Sequence, residues 1–180
     1  MALGAAAAHG EGRAIDAKNS TMTVHVGKTG VFSAFGDTHE VRAPIASGTV
    51  ESGPAPSVEL VVDAKGMTVV DPSLSPEKRA EVQKRMLGPE VLDVEHHPAI
   101  RFRSKAVTAA GEGRWKVDGV LELRGKSGPI AFDVTAANGR VKGTATVSQR
   151  AFGIEPISVG GGTVKVKDEL RIDFDVATGP

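Results

Sequence analysis

Residues 164–176, VKVKDELRIDFDV, decide the fold of this chain. Apolar and charged residues alternate along nearly the whole stretch, with Asp168 as the one break on the apolar side. Because successive side chains of a β-strand point to opposite faces, this period of two predicts a long antiparallel strand with one dry and one wet face. We expect Asp168 to lie at a bulge or near the end of a barrel.

The same alternation recurs upstream, in segments 100–106, 115–124, 130–136 and 141–148. Glycine-rich or Asn-Gly turns separate these segments, which predicts a meander of sequential hairpins. The first half is less regular, with strands predicted at 22–26, 39–50 and 58–62, and with Pro44 placing an edge or bulge in the second. One helix is predicted between the cap Ser75 and Gly88, packed on the side or end of the sheet.

Strands with one polar face need closure or a second sheet to cover the other face. Closure explains the sequential hairpins more simply than a sandwich does. The predicted fold class is therefore all-β: an antiparallel eight-stranded barrel with one lateral α-helix, whose interior can hold one small ligand. A single domain is expected over residues 13–178.

Composition narrows the possible functions. The chain has 180 residues, with 22 basic and 22 acidic side chains and no cysteine. Zero net charge argues against a nucleic-acid partner, and the absence of cysteine excludes disulfides and thiolate metal sites. No apolar run reaches the length of about 18 residues that a transmembrane helix needs. Residues 1–12 contain the small-residue run Ala5–Ala8, which we interpret as a signal-peptide remnant and linker, the alternative being a plain disordered terminus.

The inward face supplies the candidate binding site. Its apolar residues predict an interior that binds an apolar, lipid-like ligand: Val24, Phe32, Phe35, Val41, Leu60, Phe102, Leu121, Leu123, Phe132, Val134, Phe152, Ile172 and Phe174. Small residues on the same face, Ser104, Gly119, Gly143 and Ala145, are expected to leave a cavity, the alternative being a barrel filled by side chains. His39 and the run Gly160, Gly161 and Gly162 are the candidates for its mouth or lid.

The sequence supports a catalytic or metal-binding site less than it supports an apolar binding site. The five histidines form no ligand pattern, although Asp37 and His39 are two residues apart on one predicted strand. We interpret Glu90 and Asp93 as solvent-exposed charged side chains of a loop. No serine has the flanking glycines of a nucleophile elbow. We therefore predict no catalytic residue, no metal and no cofactor.

Four motifs resemble the YceI-like family. Pro98–Ser104 is similar to its P-x-I-x-F-x-S signature, Gly119–Pro129 to its G-x-L-x-L-x-G-x-x-x-P segment, and Arg150–Ile154 to its R-x-x-F-G-I signature. Ile15-Asp16 and Asn19-Ser20 resemble the opening I-D-x-x-H-S. The resemblance runs from about residue 14 to residue 176.

This resemblance implies a lipocalin-like barrel, usually exported to the periplasm, that binds isoprenoid or other amphiphilic chains. The expected function is a periplasmic or secreted, non-enzymatic carrier of an apolar lipid or isoprenoid, with homodimer formation left open. The alternatives are a stress-response or interaction barrel without an internal ligand and, with less support, a metal-dependent enzyme.

Overall fold

The computed structural model describes residues 12–29, 39–162 and 164–179. These residues contain one α-helix, α1 (Pro76–Leu87). The strands, in chain order, are β1 (Gly12–Thr29), β2 (His39–Arg42), β3 (Ile45–Glu51), β4 (Ser57–Asp63), β5 (Thr68–Val69), β6 (Ala99–Gly111), β7 (Arg114–Leu123), β8 (Lys126–Ala137), β9 (Arg140–Ser148), β10 (Ser158–Val159) and β11 (Val164–Thr178).

The long strands close into a barrel. Every pairing is antiparallel, in the order β1, β3, β4, β6, β7, β8, β9 and β11, and β11 pairs back with β1. β2 also pairs with β1, and β3 continues the line of β2 beyond Ala43-Pro44. β2 and β3 together therefore count as one of the eight strands of the barrel. The prediction of an eight-stranded antiparallel barrel with one lateral helix is confirmed. The domain boundary stays a prediction: Gly12 already belongs to β1, and residues 1–11 lie outside the described part.

Pro44 marks the place where one wall divides. Before it, Val41 pairs with Val69 of β5; after it, Ile45 pairs with Val62 of β4. The carbonyl oxygen of Pro44 still accepts the N–H of Asp63 at 2.9 Å, although proline has no N–H to donate. The predicted irregularity in this strand is therefore a change of partner.

Helix α1 covers one end of the barrel, together with the segments 64–74 and 88–98. The Ser75 hydroxyl caps its first turn by accepting the Lys78 N–H at 3.3 Å. Its half-buried residues Val82 and Met86 pack against a core that also contains Leu92. No helix in the described residues is both long and apolar enough to span a bilayer.

Asp168 interrupts the apolar side of β11 because it supports the neighbouring turn. Its carboxylate accepts the Ser148 hydroxyl at 2.7 Å and the Arg150 N–H at 2.8 Å, where a short 3₁₀-helix (Arg150–Phe152) begins. These hydrogen bonds lower the pKa of Asp168 below its ordinary value, with the Arg150 N–H as the main cause. The break in the pattern therefore stabilises the turn that leaves β9.

Gln83 of α1 completes the hydrogen bonding of β5. Its side-chain oxygen accepts the Val69 N–H at 2.7 Å, and its side-chain nitrogen donates to the Met67 carbonyl at 2.7 Å. Both partners belong to buried residues, so either group would lose a hydrogen bond without access to bulk water. One amide side chain thus acts as the neighbouring strand that β5 lacks on this side.

We expect Gln83→Met to lower the free energy of unfolding by about 2 kcal/mol, because methionine has similar length but leaves both backbone groups unpaired. Urea denaturation monitored by circular dichroism measures the difference. Lys84→Met, at the next and exposed helix position, is the control and should change stability by less than about 0.5 kcal/mol. Equal effects of the two substitutions would refute this role of Gln83.

Candidate ligand cavity

The barrel encloses a cavity of about 410 Å³. This volume falls within the range of roughly 300–1,000 Å³ that small-molecule sites occupy. Inward residues of every barrel wall contribute to its surface, since each strand presents alternate side chains to the interior. Space therefore remains after the side chains have packed.

The surface of the cavity is almost entirely hydrocarbon. Its polar or charged members, apart from the indole of Trp115, are Glu51, Ser52 and Ser57, which lie at the ends of β3 and β4 and in the connection between them. The hydrocarbon lining offers little to hold water and suits an apolar ligand. Polar contacts are available at one place only in the described lining.

One end of the cavity is closed. Met67, Leu92, Leu123 and Val147 line it there, and each is less than 10% exposed. Phe152, Ile154 and Val94 pack with them in the same core cluster. Helix α1 and its flanking segments thus form the floor of the cavity.

The other end is open. The lining residues that are exposed to solvent are Glu51, Ser52 and Gly53, at the connection between β3 and β4. Gly53 has φ of 117°, a conformation that L side chains rarely adopt, which explains glycine in this turn. The open end also contains the start of β1, because Gly12 pairs with Glu51.

A gap in the wall extends this opening. Regular pairing of β4 with β6 ends at Glu59 and Arg103, and the next N–H, from Val58, is donated to the Ser104 hydroxyl at 2.8 Å. β6 then continues to Gly111 beside β7, without β4 on its other side. Pro54 and Pro56 precede β4 and have no N–H to extend the ladder.

Three phenylalanine rings lie next to one another on the inner face of the barrel. The ring centroids of Phe102 and Phe132 are 5.4 Å apart, and those of Phe132 and Phe174 are 5.6 Å apart, which are normal distances for stabilising aromatic pairs. A Cβ on Gly119 would lie 2.5 Å from the Phe102 ring, and one on Gly143 would lie 2.6 Å from the Phe174 ring. These glycines make room for the rings and do not leave empty volume, which corrects the expectation from sequence. Ala145 does line the cavity.

Nine of the candidate binding residues meet around this space: Val24, Leu60, Phe102, Leu121, Leu123, Phe132, Val134, Ile172 and Phe174. Val41 and Phe152 are buried in the adjacent core cluster and are not part of the lining. Phe32 and Phe35 lie outside the described residues. Whether these side chains contact a ligand stays a prediction.

The candidate mouth residues lie at the opposite end from the opening. His39 pairs with Val26 of β1, and Gly160–Gly162 precede β11, whose Lys165 pairs with Thr29. The opening instead adjoins the start of β1 and the end of β11, where Ile15 pairs with Thr178. Antiparallel strands send successive turns to alternate ends, and the sequence pattern does not indicate which end is covered.

His39 makes a hydrogen bond at the covered end of the barrel. Its Nδ1 lies 2.6 Å from the Asp71 carboxylate, whose other oxygen accepts the Ser73 N–H and hydroxyl at 2.9 and 2.6 Å. Burial raises the pKa of Asp71, but the hydrogen bonds from Ser73 and His39 outweigh it and bring the pKa below 3.8. This cluster ties β2 to the segment before α1.

Sequence reasoning missed the residues at both ends of the cavity. Met67 and Leu92 come from irregular segments, and Glu51–Ser57 form a Gly- and Pro-rich connection that indicates only a turn. In the described part of the chain, no group of three or more histidine, aspartate or glutamate side chains is arranged so that it could hold a metal ion.

Charged side chains occupy the outer face of the barrel. Arg171, which is hydrogen-bonded to Asp173, lowers the pKa of that carboxyl to about 2, and the Thr144 hydroxyl contributes. His25 lies 3.0 Å from the same carboxylate. Charged side chains thus lie on the outer face of the barrel, and apolar side chains lie on its inner face.

The sequence profile of the YceI-like domain matches residues 14–178. The chain belongs to this family. No curated protein is similar enough in sequence to count as a relative.

Solved structures share the YceI-like fold. BcnA of Burkholderia cenocepacia has a TM-score of 0.70 at 20% identity, over 90% of this chain and 98% of that one. A polyisoprenoid binding domain from Saccharophagus degradans, implicated in plant cell wall breakdown, has a TM-score of 0.64 at 14% identity, over 94% and 98%. The YceI protein of Campylobacter jejuni has a TM-score of 0.55 at 11% identity, over 78% and 81%.

Proposed function

We propose that this YceI-like protein binds and carries an amphiphile with a long apolar tail, such as an isoprenoid lipid, and that it is a binding protein rather than an enzyme. The observation that supports the proposal most is the cavity of about 410 Å³ with a hydrocarbon lining and one open end. The tail would occupy the interior, and the head would remain at the opening. The likeness to a polyisoprenoid binding domain agrees with this assignment.

Burial of the tail supplies the affinity. Each methylene group that leaves water contributes about 0.8 kcal/mol, so roughly ten of them contribute about 8 kcal/mol. Part of this is offset by the entropy of immobilising the ligand. A tail of this size therefore suffices for binding without a charged partner inside the barrel.

Trp115 offers a direct test, because it is the one tryptophan of the chain and it lines the cavity. Addition of geranylgeraniol should shift its fluorescence and saturate at one ligand per barrel. Native mass spectrometry of protein purified from its own host should show a bound hydrophobic mass. A ligand-free mass together with no response of Trp115 would contradict the carrier function and favour a barrel that acts through its outer surface.

We further propose that the protein works in the periplasm or outside the cell. The family resemblance and the small-residue run Ala5–Ala8 support this location. Fractionation of the host should recover the protein with periplasmic or secreted markers. Recovery with cytoplasmic markers would reject the location and leave the cavity unaffected.

A further inference from the structure

The start of β1 places a cation beside the opening. Arg13 pairs with Val50 of β3, and Val50 lines the cavity. Residues that face each other directly in an antiparallel pair have their side chains on the same side of the sheet. Arg13 therefore belongs to the inner face, two positions above Ile15, which also lines the cavity.

The nearby acid lies on the other side of the wall. Glu51 pairs with Gly12, one position away from the pair of Arg13 and Val50, so alternation directs its side chain to the outer face, although Glu51 also lines the cavity at the rim of the opening. Its Cγ and one carboxylate oxygen lie 3.5 and 3.6 Å from where a Gly12 Cβ would be, as expected for that face. Alternation thus places the guanidinium on the inner side of the opening and the carboxylate on the outer side.

A hydroxyl group belongs to the same inner side of the opening. Ser52 follows Val50 by two positions, so alternation places both on one face, and both line the cavity. A guanidinium and hydroxyl groups donate hydrogen bonds to anionic oxygen, and arginine matches carboxylate and phosphate geometry well. The polar part of the opening therefore suits a negatively charged head.

We propose that Arg13 selects amphiphiles with an anionic head, a phosphate or a carboxylate, over neutral ones with the same tail. This inference rests on the proposed function, since it assumes that the tail occupies the cavity. Arg13 holds the head at the opening, with the Ser52 hydroxyl as a further donor. The specificity for the head is then separate from the affinity for the tail.

Three ligands with the same tail test the selectivity: geranylgeraniol, geranylgeranyl monophosphate and geranylgeranoic acid, each titrated against Trp115 fluorescence. We expect the two anions to bind the wild-type protein about tenfold more tightly than the alcohol at low ionic strength, since charged hydrogen bonds stabilise more than neutral ones. Added salt should reduce the difference. If only one anion gains affinity, the head is assigned to that class.

Substitutions of Arg13 identify the residue responsible. Arg13→Gln should remove the preference, and Arg13→Glu should make the anions bind more weakly than the alcohol, while the affinity for the alcohol changes less than about twofold. Arg114→Glu is the matched control. It lies at the same end, but on the outer face, because its neighbour Trp115 lines the cavity.

Equal affinities for the three ligands, or an anion preference that survives Arg13→Glu, would overturn the role of Arg13 and leave the carrier function intact. Failure of all three ligands to bind would overturn both proposals. Binding of geranylgeraniol therefore distinguishes failure of the Arg13 proposal alone from failure of the carrier function. Arg13 is exposed, so thermal denaturation of each variant should match that of the wild type.

Discussion

Replacing Ala145 by phenylalanine is expected to weaken the binding of geranylgeraniol about tenfold or more, without lowering the free energy of unfolding. Ala145 lies on the inner face of β9, opposite Ile172 of β11, and both residues line the cavity. A cavity of about 150 Å³ accommodates benzene, so a ring here would take roughly a third of the available volume. The ligand loses the space that the ring fills.

We expect Ala145→Phe to keep or raise the free energy of unfolding, whereas most substitutions in a protein core lower it. A ring at a packed position forces neighbours apart and costs about 1–3 kcal/mol, whereas a ring in empty space gains contacts with the lining. Urea denaturation of the ligand-free protein measures this difference. Ala145→Leu, a smaller side chain, should give an intermediate loss of binding.

Thr146→Phe is the matched control, because Thr146 is the next residue of β9 and is exposed on the outer face. It adds the same ring to the same strand without reducing the cavity, so ligand affinity should stay within about twofold of the wild type. If Ala145→Phe lowered stability and left binding unchanged, the space beside Ala145 would not belong to the ligand site.

Ala145 also shows where prediction from sequence ends. Period-two alternation identified most inward residues correctly, including Ala145 and Gly143, but a register shift in β6 turns Val107 inward and leaves Ala106 exposed. It could not tell which small residue leaves space, because this depends on the partner across the sheet. Gly143 lies opposite Phe174, which is far away in sequence, and the ring covers the glycine.

The same limit explains why the ends of the barrel were assigned incompletely. The hairpins and the helix have local signals, such as Asn138-Gly139 and Ser75 followed by Pro76. The floor of the cavity comes from the irregular segments around Met67 and Leu92, which have no period. Which end these segments cover is decided by tertiary packing.

Asp71→Ala is expected to lower the free energy of unfolding by about 3 kcal/mol at pH 7. The residue is 2% exposed, and its carboxylate has three hydrogen-bond donors, from His39 and Ser73. Alanine leaves these donors without their acceptor at the covered end of the barrel. Asp133→Ala, at an exposed position of β8, is the control and should have an effect below about 0.5 kcal/mol.

The contribution of Asp71 should depend on pH. Its pKa in the folded protein is below the ordinary value of 3.8, because the hydrogen bonds from Ser73 and His39 outweigh the opposing effect of burial. The unfolded chain therefore binds a proton on Asp71 more readily than the folded protein does, so this part of the stability is present at neutral pH. It is lost as the pH falls below 3.8 and through the folded pKa.

Asp71→Asn isolates this dependence, because asparagine keeps the shape of the side chain and cannot ionise. The wild type should be more stable than Asp71→Asn at pH 7, and the difference should shrink as the pH falls through the folded pKa, where the carboxyl of the wild type becomes neutral as well. Urea denaturation of both proteins across this pH range measures it, and the other carboxyl groups cancel in the comparison. A difference that stays constant down to pH 2 would mean that Asp71 stabilises the covered end by its shape and not by its charge.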